Sequence, residues 1–148
     1  MSSRPTSAVT RKVIDSIHVE AMVLADEARS YFDGVGLCDR SAMDPTTRVI
    51  FSCEALKVTT RLMHSVAWLL SHRGKGEGVR RERHSPLGTA THTDTVTLAR
   101  LPEDARKIVA ASEDIYRRVA RIDAAMNWQG AERASPALAL QRNLERAF

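Results

Sequence analysis

From Pro45 onward no glycine or proline interrupts the chain until Gly74, and the stretch between them carries Val49, Ile50, Phe51, Leu56, Val58, Leu62, Met63, Val66, Ala67, Trp68, Leu69 and Leu70. A run of this length without a breaker predicts one continuous helix. Asp44 and Pro45 open it well: an aspartate side chain accepts from free first-turn amides, and a proline in the first turn loses an amide that has no partner there. Toward its C-terminal half this helix is apolar around most of its circumference, the mark of a helix covered on several sides.

Two further helices flank it. Ile14, Ile17, Ala21, Leu24, Ala28 and Tyr31 recur at spacings of three and four, placing them on one stripe of a first helix over residues 11–33. Thr10 can cap that helix, and Gly34 and Gly36 end it. A third begins at Leu101-Pro102, where Ala105, Ile108, Ser112, Ile115, Val119, Ile122 and Met126 repeat without a slip. Its outer face holds Arg106, Lys107, Glu113, Asp114, Arg117, Arg118 and Arg121, with Glu113 and Asp114 each four residues before an arginine, the pattern of a solvated, ion-paired face. Helices of about 30 to 45 Å must pack side by side, so the predicted fold is all-α, an antiparallel bundle of three long helices.

The remaining segments divide the chain. Residues 1–10 read as a frayed N-terminal tail, 11–128 as the bundle, and 129–148 as a C-terminal tail in which Ala137, Leu140, Leu144 and Phe148 could share one face of a short helix. Within the bundle, 74–100 is a long flexible loop joining the second and third helices, and loops of that length in compact domains are commonly functional or disordered. A chain of 148 residues can bury roughly 70% of its unfolded surface, so one core forms without staples. Cys38 and Cys53 lack any paired-ligand spacing and read as reduced thiols. The absence of a long apolar run or an apolar leader predicts a cytoplasmic protein.

Searching for chemistry yields little. His18, His64, His72, His84 and His92 form no zinc-type spacing, there is no nucleophile elbow, and Gly74, Gly76 and Gly78 lack the Gly-Lys-Ser/Thr ending and preceding strand of a phosphate loop. The reading is a protein that is not an enzyme and needs no cofactor or metal. Net charge is +4, and three of those charges come from residues 73–83, which hold Arg73, Lys75, Arg80, Arg81 and Arg83 against Glu77 and Glu82. That segment raises nucleic acid as an alternative partner, although it has no interleaved aromatics to stack bases. A solvated basic loop, or one that meets an acidic protein patch, suits it better.

The second helix reads from Glu54 through Thr59-Thr60-Arg61-Leu62-Met63 to Trp68-Leu69-Leu70, and the third from Leu101-Pro102 through Ser112-Glu113-Asp114-Ile115-Tyr116-Arg117-Arg118 to Asp123. Together these resemble the RcdA family, the alphaproteobacterial regulators of CtrA degradation, over about Ile14 to Trp128. The resemblance implies a three-helix bundle, commonly dimeric, acting as a non-enzymatic adaptor that helps deliver cell-cycle regulators to the ClpXP protease with the response regulator CpdR, and whose C-terminal tail takes part in binding. The loop 74–100 is rich in Thr, His and Gly where the family is expected to be more acidic, and the tail after Trp128 lies outside the match.

These readings converge on an adaptor that binds protein partners. Thr59, Thr60, Arg61 and Trp68 are the expected surface or dimer contacts; Arg80, Arg81 and Arg83 form a basic second contact; Leu140, Leu144 and Phe148 form a tail that orders on binding. A homodimer is expected because Leu56, Met63 and Leu70 face one way on the second helix while Val58, Leu62, Val66 and Leu69 face another, more than two neighbours cover.

Overall fold

The computed structural model describes residues 5–73, 86–133 and, beyond these, 137, 140, 141, 143 and 144. They form three long helices, α1 (Pro5–Asp33), α3 (Pro45–His72) and α5 (Glu103–Arg133), and two short ones, α2 (Val35–Ser41) and α4 (Thr95–Ala99). The chain is an all-α bundle whose core is built from the stripes that periodicity marks. Ile14, Ile17, Ala21, Leu24, Ala28 and Tyr31 of α1 are buried, as are Ala105, Ile108, Ser112, Ile115 and Val119 of α5.

The helix ends depart from the sequence reading in three places. Helix α1 starts at Pro5, so Thr10 lies inside it rather than capping it. At its other end Gly34 and Gly36 do not simply end a helix: the chain turns a corner into α2, and Gly36 is buried at that corner. A Cβ on Gly36 would lie 2.7 Å from the Tyr31 carbonyl oxygen, too close for any other residue. The Tyr31 hydroxyl donates to Asp39 at 2.8 Å, tying α2 back to α1. Burial, with help from Asp39, pushes that phenol above its ordinary value. Helix α5 continues past Trp128 and Gly130 to Arg133. Asp44 caps α3 as its sequence predicts, accepting from the Thr47 amide at 3.1 Å and the Thr47 hydroxyl at 2.6 Å.

Side-chain pairings give the helix directions. Tyr31 and Phe32 near the end of α1 meet Phe51 near the start of α3, while Asp15 meets Arg73 at the other end, so α1 and α3 are antiparallel. Arg61 reaches Ser112 and Trp68 reaches Asp123, so α3 and α5 run the same way. Any three-helix bundle contains one such parallel pair, and here it dictates the length of the loop. A connection from the end of α3 to the start of α5 must travel back along the bundle. Residues 74–85, including most of the basic segment expected to be flexible, lie outside the described residues. Residues 86–94 form an extended strap along α3 and α5, and Asp94 then caps α4 by accepting from the Thr97 amide at 2.7 Å.

Candidate interaction surface

The strap is held by a buried polar cluster. Arg61, 1% exposed, donates to the Thr91 carbonyl at 2.6 and 3.0 Å, to the Thr93 hydroxyl at 2.7 Å and to Ser112 at 3.4 Å, and lies 3.3 Å from the Glu113 carboxylate. Glu54, equally buried, accepts from the Thr93 hydroxyl and from Lys57, the latter at 2.6 Å. Glu113 also accepts from the Thr93 amide at 2.7 Å and lies 3.1 Å from the His92 ring nitrogen Nδ1. Two acids thus face two bases, and Arg61, Lys57 and Thr93 each find an acceptor within the cluster, the condition under which buried charge is tolerated. Burial pulls the guanidinium below its ordinary value, opposed by Glu113 and Glu54.

This cluster corrects two expectations. Arg61 is no surface contact, because its guanidinium is consumed inside the chain. Glu113 does not sit on a solvated face beside Arg117, because it turns in toward Arg61 and Thr93. Upstream, the strap presses Gly88 against α3: a Cβ there would lie 2.6 to 2.8 Å from the His64 ring. The Tyr116 hydroxyl donates to the Gly88 carbonyl at 2.7 Å and holds it from the α5 side.

Trp68 is likewise buried rather than offered to a partner. Its indole donates to Asp123 at 2.9 Å and its ring stacks on His72 at a centroid distance of 3.9 Å. Thr59 is exposed and Thr60 half-buried, with hydroxyls bonded back to Ala55 and Leu56 at 3.0 Å. Leu140 and Leu144 are exposed. Arg80, Arg81, Arg83 and Phe148 lie outside the described residues, as does the Trp128 side chain.

What the bundle does present is apolar surface. Val49, Leu56, Met63 and Leu70 on α3 are 63, 68, 58 and 54% exposed and recur every seven residues on the side opposite the core. Beside them Cys53 and Ala67 are exposed and Thr60 is half-buried, again every seven. The charged side chains of this stretch, Glu54, Lys57 and Arg61, are all engaged in the strap cluster, so the outer face carries no formal charge. The sequence reading found Leu56, Met63 and Leu70 but not Val49, Cys53 and Ala67; the seven-residue recurrence was the signal. A second surface lies between α1 and α5, a shallow groove lined by the apolar Val19, Val23, Leu24 and Ile115 and the acidic Glu20, Glu27 and Asp114. Glu20 there accepts from Arg118 at 2.6 and 3.1 Å, which draws its carboxyl below its ordinary value. No helix among the described residues is long and apolar enough to cross a membrane.

An all-α bundle with such surfaces belongs to the class of small helical proteins. The family described as protein of unknown function DUF1465 matches residues 6–148, and the chain belongs to it. Among solved structures it is similar to RcdA from Caulobacter crescentus CB15, with 26% sequence identity and a TM-score of 0.55 over 76% of this chain and 89% of that one. The chain is therefore RcdA-like, as the α3 and α5 sequences imply. No curated protein matches it.

Proposed function

We propose that the chain is a non-enzymatic cytoplasmic adaptor that binds protein partners and assists delivery of cell-cycle regulators to the ClpXP protease, working with the response regulator CpdR. The observation that carries this reading is the likeness to RcdA, which spans most of that protein's length. The surfaces described above suit it. Leu140 and Leu144 hold out exposed apolar side chains, as a segment that orders on a partner would. Phe148 completes their pattern at helical spacing, Thr59 and Thr60 add polar contacts on α3, and Arg80, Arg81 and Arg83 supply a basic second contact.

Gel filtration of the purified chain with ClpX and the response regulator, separately and together, tests the class. Co-elution at low salt is the expected result, and Leu140→Ala with Leu144→Ala weakens it about tenfold or more. If the chain elutes alone in every mixture, the adaptor reading fails.

A further inference from the structure

We propose that the groove between α1 and α5 is the docking site for a basic amphipathic helix of a protein partner. This rests on the adaptor reading and gives one class of partner a place on the bundle. Along α1 the exposed residues Val9, Val13, Ser16, Glu20, Val23 and Glu27 recur at alternating steps of four and three, the spacing that offers one continuous row to a second helix. From Val9 to Glu27 the row is about 27 Å long. Helix α5 runs beside it, joined through Arg118 and Glu20, and the two leave a groove lined by Val19, Val23, Leu24, Ala111 and Ile115. Val19 and Val23 are 58 and 62% exposed there. A groove between two packed helices seats a third, as α3 sits against the other side of the same pair. Being open and shallow, it suits a row of side chains better than a small molecule, which needs an enclosing cavity.

The occupant follows from charge. Glu20, Glu27 and Asp114 line the groove, and Arg118 lies 2.6 Å from Glu20 and 3.5 Å from Asp114. Glu27 has no ion-pair partner among the described residues. Lys107, one turn before Ala111 on α5, is taken by Glu103 at 3.4 Å. Three carboxylates therefore share one guanidinium, on a chain whose net charge is +4. The groove is acidic against the sign of the molecule, so it draws a basic segment that the rest of the chain repels, and turns away nucleic acid and anionic lipid.

Spacing narrows the partner further. Glu20 and Glu27 stand two turns apart with Val23 between them, while Val9, Val13 and Ser16 are uncharged. The matching helix carries lysine or arginine at positions seven apart, an apolar residue between them, and an apolar stripe beyond.

The probe is a fluorescently labelled helical peptide of about 18 residues, leucine on one face and lysine on the other, beside a twin with glutamate in place of lysine. Anisotropy with the full chain should show the lysine peptide bound more tightly, the reverse of what a net charge of +4 gives by itself. Glu27→Lys and Val23→Lys, both at exposed positions, weaken that binding about tenfold or more, while Leu56→Lys on the outer face of α3 changes it by less than about threefold. Far-ultraviolet circular dichroism verifies that each variant keeps the bundle. On adding the lysine peptide, amide chemical shifts of the isotope-labelled chain move over residues 16–27 and 111–118. Equal affinity for the two peptides, affinity untouched by Glu27→Lys, or shifts centred on α3 overturn the assignment. Shifts over residues 16–27 that appear on concentrating the chain alone, or on Leu140→Ala with Leu144→Ala, place a second copy or the chain's own tail in the groove and equally overturn it. Loss of peptide binding while ClpX and the response regulator still co-elute with the chain removes the groove alone and leaves the adaptor reading in place.

Discussion

Arg61 shows how far a single side chain can be from what its sequence context suggests. In a helix apolar almost all round, an arginine looks like a surface contact, since long charged side chains are rarely fully buried without partners. Its partners come from Thr91, Thr93, Ser112 and Glu113, 30 to 52 positions away, and no local pattern announces them. Arg61→Met should cost about 3 to 5 kcal/mol in urea denaturation, because it leaves the buried Thr91 carbonyl without its donor and takes from Glu113 its guanidinium neighbour. A loss under about 1 kcal/mol would mean the cluster does not clamp the strap. Ser65 provides the opposite case: its hydroxyl is buried with no hydrogen-bond partner among the described residues, so Ser65→Ala should leave stability unchanged or raise it by up to about 1 kcal/mol. Gly88→Ala, by contrast, drives a methyl into the His64 ring and should lower stability by about 1 to 3 kcal/mol unless the strap lifts away, which faster amide exchange over residues 88–93 would reveal.

At the scale of elements, the helices that periodicity marks are present because their apolar stripes have one solution, a shared core. Asp44-Pro45 and Leu101-Pro102 were readable starts because capping chemistry is local. The start of α1 at Pro5, its corner at Gly36 and the run of α5 past Gly130 were not readable, since packing and close approach decide them rather than propensity. The caps also set an acid limit. Asp44 is held low chiefly by the Thr47 hydroxyl, Asp94 chiefly by the Thr97 amide, and Glu20 chiefly by Arg118. All three pKa values are lower folded than unfolded, so their stabilisation is complete above the ordinary carboxylate values of 4.5 and 3.8 and is lost as pH falls below them. Tm measured against pH should therefore be flat with respect to these groups near neutrality and decline below about pH 4.5. Asp44→Ala combined with Asp94→Ala should lower the plateau and make that decline shallower. An unchanged acid limb in the double variant would contradict the assignment.

For the whole molecule, the length of the second connection was legible but not its purpose. Thr89 to Leu98 alternates only weakly and reads as loop, yet the parallel run of α3 and α5 makes a returning strap unavoidable, and the buried cluster makes it part of the core. The outer face of α3 was half legible, from Leu56, Met63 and Leu70, because a buried row and an exposed row share one helix and sequence alone does not assign which is which. The adaptor reading belongs to this scale, since it rests on the likeness of the entire bundle to RcdA. Its most direct test is the rate at which purified ClpXP degrades a cell-cycle regulator in the presence of the response regulator, with and without this chain. The account predicts an acceleration that saturates with the amount of chain added and falls when Leu140 and Leu144 are replaced by alanine; an identical rate with and without the chain would contradict it.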